Sequence, residues 1–337
     1  MTIRFSILDQ SIINPGEQPS EALRNTVELA QLAEKLGYHR FWVAEHHNSD
    51  EIAGAAPEVL LGYIAAKTST IKLASGGIML QHYSPYKVAE QFHVLENLAS
   101  GRISLGVGKA PGGFQPATDA LQKDFVKPTR TFDAKLEELV DFVTHYSDAT
   151  IAAKPLPENK PEIFLLGGSA ASAKQAAELG ISFVFAYFIN GEESVLKEAR
   201  ELFEKYRINT KASFQLAPII VVAETKIAAD RHIPERESIK VELADGRRVN
   251  VGTREQAEAY VKDIDQTYRF ITQRIGAITG TKQEVGVEIK RLSKEYNIQD
   301  FVVLTPVKSA EIKRYSYQLL SESIKEEVVH GYCRRLE

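Results

Sequence analysis

The chain has 337 residues, 44% of them apolar and 26% charged, a balance that allows a large core and excludes a disordered chain. A formal net charge of −4 removes any electrostatic case for binding nucleic acid or an anionic membrane. The single cysteine, Cys333, excludes an intrachain disulfide and a cysteine-based metal site. With no run apolar enough to span a bilayer and no signal-peptide pattern at the start, a cytoplasmic protein is expected.

Short β-branched or aromatic runs alternate with amphipathic stretches from the first residues onward. A strand over 3–8 is followed by a helix over 20–36, with Ser20 as N-cap, Leu23, Val27, Ala30 and Ala33 at helical spacing, and Gly37 as the stop. A strand over 41–44, a helix over 57–69, a strand over 71–75, a helix from Ser84-Pro85 to Leu98 and a strand over 103–107 continue the alternation. The second half repeats it, with strands over 163–166, 182–186 and 216–222 and helices over 170–179 and 192–206. A last strand over 301–304 and a helix from Ser309 to about residue 327 bring the strands to eight.

Eight strands separated by helices, with no linker between them, predict a single (β/α)8 TIM barrel over residues 1–337. An open doubly wound sheet is the rival, and no Gly-x-Gly-x-x-Gly follows the first strand to support it. Strands seven and eight lie about eighty residues apart, so an insertion is expected at roughly 223–299. Within it, the alternation over 239–251 about Asp245-Gly246 predicts a hairpin, and helices are expected near 253–275 and 281–295.

In such a barrel the working residues lie at the C-terminal ends of strands and just beyond them. Glu45-His46-His47 follows the second strand, Gly76-Gly77 ends the third, Lys109 follows the fourth, and Gly167-Gly-Ser-Ala-Ala-Ser172 follows the fifth. The last segment offers free amides at a helix N-terminus and two hydroxyls, a phosphate cradle; equally, Ser169 is a plain N-cap. The glycine pair suits either a flat ligand against the backbone or a bulge. Adjacent strand-end histidines point to opposite faces, and no HExxH or cysteine partner is present, so no metal is expected. Proton transfer and rim hydrogen bonding both remain open for the cluster.

Phe41-Trp-Val-Ala-Glu-His-His47, Leu73-Ala-Ser-Gly-Gly-Ile-Met-Leu80, Leu98-Ala-Ser-Gly-Arg-Ile-Ser-Leu-Gly-Val-Gly108 and the run from Leu166 to Gly180, in this order, resemble the bacterial luciferase-like, flavin-dependent monooxygenase family. The stretches 280–285 and 300–306 extend the resemblance over nearly the whole chain. The resemblance implies a barrel with an insertion near its seventh strand. It also implies an FMN cofactor whose phosphate meets Gly168, Ser169, Ala170, Ser172 and Lys109. Ser75, Gly76 and Gly77 then lie beneath the isoalloxazine ring, with a non-prolyl cis peptide between the glycines, and His46 is the acid-base group. The implied activity is oxygenation of a small organic substrate with reduced FMN and O2, the reduced flavin coming from a separate reductase and the enzyme being a homodimer. Relatives on the same barrel use the deazaflavin F420 for hydride transfer, and others bind flavin without known catalysis, so both remain as alternatives. Two residues depart from the luciferase α-subunit: Gly108 stands in place of a reactive cysteine, which argues against light emission, and Lys109 in place of a phosphate-binding arginine, which keeps the charge and loses the bidentate fork.

Overall fold

A computed structural model describes residues 2–123, 130–145, 151–233, 237–244, 248–251, 254–262, 264–274 and 276–333. The first half runs β1 (Arg4–Asp9), α1 (Pro19–Leu36), β2 (Arg40–Val43), α2 (Pro57–Lys67), β3 (Lys72–Ser75), β4 (Ile78–Met79), α3 (Pro85–Leu98), β5 (Ile103–Gly108), α4 (Gln115–Leu121) and α5 (Phe132–Thr144). It continues with β6 (Glu162–Gly167), α6 (Ala170–Glu178), β7 (Ser182–Phe185), α7 (Glu193–Tyr206), β8 (Phe214–Leu216) and β9 (Ile219–Val222). The insertion holds α8 (Lys226–Arg231), β10 (Glu237–Leu243), β11 (Arg248–Val251), α9 (Arg254–Val261), β12 (Tyr268–Arg274), β13 (Ala277–Gly280) and α10 (Lys282–Tyr296). The chain then closes with β14 (Asp300–Leu304) and α11 (Ala310–Cys333).

The barrel staves are β1, β2, β3, β5, β6, β7, β8 and β14, each parallel to the next, and β14 returns to β1 in register from Arg4↔Asp300 to Leu8↔Leu304. These are the eight strands read from the sequence. The seventh stave is split at Ala217-Pro218, where proline cannot donate to the ladder; β9 then pairs with β14 at Ile219↔Leu304 and carries β13 alongside. Alternation along each stave separates two apolar layers. Phe41 and Val43 of β2 pack outward under the helices, while Trp42 and Ala44 join Leu8, Phe164, Val184 and Val302 inside the barrel.

At the N-terminal end of the barrel the interior holds a buried cation. The Arg40 guanidinium lies over the rings of Trp42 and Phe164, at 5.4 and 4.7 Å from their centroids, and reaches Glu162 Oε2 at 2.6 Å. Cation–π contact and one carboxylate offset a charge that is almost fully enclosed, while the Arg40 Nε is buried without a hydrogen-bond partner.

Two local expectations are corrected. The first helix begins at Pro19, not after Ser20: proline suits the first helical position, and Glu21 Oε2 accepts the Gln18 N–H at 2.7 Å. In the insertion, the helix expected near 253–275 is confined to Arg254–Val261, and Tyr268–Arg274 is instead a strand antiparallel to β10. Aromatic and β-branched residues at 268, 270, 271 and 272 fit a pleated surface better than a helix. The hairpin pairs β10 with β11 through Glu242↔Arg248 as the alternation requires, and its turn at Asp245-Gly246 lies outside the described residues. Among the described residues, no helix is long and apolar enough to cross a membrane.

Candidate active site

At the C-terminal ends of the staves a cavity of about 520 Å³ opens, within the size range of small-ligand sites. His46, Gly76, Gly77, Lys109, Gly168, Ser169 and Ser172 all line it, so the structure brings together seven of the nine site residues expected from the sequence. The other two are near neighbours with different positions. Ser75 is fully buried beneath the floor, its Oγ donating to the Gly106 carbonyl at 2.8 Å and accepting the Gly106 N–H at 2.9 Å. Ala170 is the first residue of α6, where its contribution to a ligand would be its backbone.

The floor owes its glycines to close backbone approach. Leu73 pairs with Ile103 and Ala74 with Ser104, but Ile78 pairs with Val107, so one extra residue sits on the third stave: a bulge. Within it the Gly76-Gly77 peptide is cis. A Cβ on Gly76 would meet Leu8 Cδ1 at 2.6 Å, and one on Gly77 would meet the Gly106 carbonyl oxygen at 2.9 Å. Backbone packing thus demands a glycine at 77, a side chain at 76 would have to displace the end of Leu8, and both glycines line the cavity.

One wall is the start of α6. Ser169 is its N-cap, accepting the Ser172 N–H at 3.2 Å, and the two hydroxyls lie 2.9 Å apart. Asn190 Nδ2 donates to the Gly168 carbonyl at 2.9 Å and holds the preceding turn in place. The two readings of this segment are compatible: Ser169 caps the helix and, with Ser172, lines the cavity. Lys109 stands over the Phe132 ring at 5.6 Å, and its ammonium lies 3.9 Å from Asp133, an exposed and loosely held cation.

The strand-end cluster divides by alternation. Glu45 is fully buried and acts as an acceptor hub: His47 Nε2 donates at 2.7 Å, the Tyr83 hydroxyl at 2.8 Å and the Met79 N–H at 3.1 Å. Burial, and then the charge of Glu45, push the Tyr83 phenol well above its ordinary range. His82 stacks edge-on against His47 and bonds the Pro111 carbonyl through Nε2 at 2.8 Å, and burial lowers its pKa. His46 faces the other way, into the cavity, with its Nε2 at 3.5 Å from Gln10 Nε2. Glu45 and His47 are thus bonded to each other and to the rim around Met79 and Tyr83.

Sequence reading missed Gln10, Asn190, Glu192 and Lys240, all of which line the cavity. Gln10 follows a stave directly, so the strand-end rule alone could have found it. Lys240 comes from the insertion, and its Nζ reaches Glu192 Oε1 at 2.6 Å. Among the described residues, no group of three or more His, Cys, Asp or Glu could hold a metal ion.

A barrel with a glycine floor, a helix N-terminus and a histidine at one mouth is an arrangement that can be compared with known proteins. The model of the luciferase-like monooxygenase family matches residues 3–296. The chain is 61% identical over 329 residues to N-acetyl-S-alkylcysteine monooxygenase of Bacillus subtilis (strain 168), covering 96% of this chain and 98% of that one. Among solved structures, apo-MsnO8 is similar with a TM-score of 0.79 at 28% identity, over 96% of this chain and 98% of that one. The oxygenating constituent of 3,6-diketocamphane monooxygenase from Pseudomonas putida, in complex with FMN, shares the fold with a TM-score of 0.69 at 17% identity, over 96% and 98%. Fold and sequence agree over nearly the whole length, and the chain belongs to the luciferase-like monooxygenase family of enzymes.

Proposed function

We propose that this enzyme uses reduced FMN and O2 to oxygenate a small thioether of the N-acetyl-S-alkylcysteine class. The observation that carries the reading is the single cavity in which a helix N-terminus with two hydroxyls, a cation, a side-chain-free floor and a histidine converge. These residues fit the cofactor. Ser169, Ser172, the Ala170 N–H and Lys109 would hold the phosphate, and Gly76 and Gly77, backed by Ser75 beneath them, leave a flat face for the isoalloxazine ring. Bound reduced flavin supplies the two electrons that allow one atom of O2 to enter the substrate while the other leaves as water.

The chain's own tasks are binding, water exclusion and proton handling. Leu8, Val184, Phe188 and Val195 provide the apolar walls that keep bulk water from the reacting groups. His46, on the cavity side of the rim, is the group that gives and takes protons there. The substrate class rests on the 61% identity to the Bacillus subtilis enzyme of that name. Reduced flavin comes from a separate NAD(P)H-dependent reductase, and the assembly is a homodimer, which light scattering tests against the 37.5 kDa chain mass.

The deciding experiment supplies FMN, NADH and a flavin reductase, then follows O2 uptake and product by mass spectrometry with and without N-acetyl-S-methylcysteine. Substrate-dependent uptake with label from isotopic O2 in the product is expected. Uptake indifferent to substrate would point to a flavin carrier, and turnover with F420 in the absence of O2 to hydride transfer; either would overturn the reading.

A further inference from the structure

In β10, Ile239, Val241 and Leu243 are buried against Ala257 and Val261 of α9, so the pleat turns the even-numbered residues to the opposite face. Lys240 is on that face, and among the described residues of the insertion it is the one that lines the cavity. Its side chain is only 12% exposed, and its ammonium is held at 2.6 Å by Glu192, the residue before α7. Glu192 is itself fixed from the barrel side, its N–H donating to Asn190 Oδ1 at 3.2 Å. A lysine so enclosed is a positioned charge and not a solvated one.

We propose that Lys240 is the specificity residue that recognises a carboxylate on the substrate, with Glu192 orienting it. The inference rests on the functional reading above. An ammonium has three donors and Glu192 takes one, so a substrate carboxylate is accommodated without breaking the existing pair. The cofactor phosphate is the other anion in reach of such a cavity. The adjoining Glu192 carboxylate disfavours a dianion more than a monoanion, and the α6 amides, the two serines and Lys109 already suit the phosphate. The insertion thus contributes a reading head for substrate charge, while the barrel holds the cofactor.

The test compares N-acetyl-S-methylcysteine with its carboxamide in the reductase-coupled assay, for the parent, Lys240→Gln and Lys240→Arg. The parent prefers the acid. In Lys240→Gln the KM for the acid rises by roughly 10- to 100-fold, the worth of a charge-assisted hydrogen bond, and the preference for acid over amide disappears. Lys240→Arg recovers most of that preference. If the KM values for acid and amide rise together, Lys240 only ties the insertion to the barrel and the proposal falls. If FMN affinity, read by flavin fluorescence, drops while acid-over-amide preference stays, Lys240 serves the cofactor and the proposal also falls. A parent that neither binds nor oxygenates acid or amide overturns the functional reading and this inference with it, whereas a parent that turns over the acid and a Lys240→Gln variant with the same preference overturns the inference alone.

Discussion

The two ends of the barrel handle charge in opposite ways. At the N-terminal end the chain supplies both members of every contact described there. Arg4 grips Asp300 with two bonds of 2.6 and 2.8 Å, Arg40 meets Glu162, and the Glu34 carboxylate collects the N–H groups of Ser69, Thr70 and Ile71 at 2.6 to 3.0 Å. At the C-terminal end the Ser172 N–H at the start of α6 meets the neutral hydroxyl of Ser169, and Lys109 is loosely held by Asp133. One end pairs its charges largely within the chain, and the other turns hydroxyls and cations to the cavity. Substitutions at the two ends should therefore separate cleanly, with stability lost at the first and activity or ligand affinity at the second.

The largest effect is expected from His46→Ala. In a folded, flavin-loaded protein it should lower turnover roughly 10²- to 10⁴-fold, the range for general acid-base catalysis, and leave FMN affinity and unfolding midpoint near those of the parent. Unchanged turnover would reduce His46 to a rim residue like His47 and erase the chemical half of the contrast.

The opposite case is Glu162→Ala at the closed end. Glu162 is 40% exposed but Arg40 only 2%, so removing the carboxylate strands an enclosed guanidinium against Trp42 and Phe164. A loss of about 3 to 5 kcal/mol in denaturant-unfolding stability is expected, with turnover per folded molecule retained. A loss below about 1 kcal/mol would mean that water reaches Arg40 and that this end is less closed than the geometry indicates.

A smaller effect belongs to Ser169→Ala/Ser172→Ala. It removes two donors and a helix cap, so FMN binding should weaken by roughly 1 to 3 kcal/mol, measured by fluorescence titration. Parent-like affinity would move the phosphate elsewhere in the cavity.

Which parts of this contrast could be read from sequence follows from what sets each one. The eight staves were legible because strand period, helix period and stop signals are local, and the split seventh stave still reads as one strand over 216–222. The assignment of His46 to the cavity and His47 to the rim follows from alternation once the strand end is known. That Ser75 sits beneath the glycine floor is set by the bulge at Gly76-Gly77, which depends on pairing with β5 and so is not local in the sequence. The strand over 268–274 is not legible locally because its partner, β10, lies in a separate stretch of the insertion. Lys240 was invisible for a related reason: the alternation gives its face, but only the packing of the insertion over the mouth gives that face a meaning.

The smallest effect tests the closed end by pH. Burial alone would raise the Glu34 pKa, but the bonds from the Thr70, Ile71 and Ser69 amides outweigh it and hold the carboxyl at about 2, against an ordinary value of 4.5. A carboxyl whose folded pKa is depressed adds stability that is fully present above its unfolded pKa and is lost as pH falls through the folded one. Glu34→Gln should therefore flatten the fall in thermal midpoint between pH 4.5 and about 2 relative to the parent. Glu34 lies near the surface, where solvent screens its charge, so at pH 7 the cost is expected to stay below about 1 kcal/mol. FMN affinity should be the same in both proteins, since the three amides it gathers are at the far end of the barrel from Ser169. Parallel pH curves for parent and variant would show that those amides are satisfied equally well by a neutral acceptor, and the closed end would then owe its stability to its two arginine pairs.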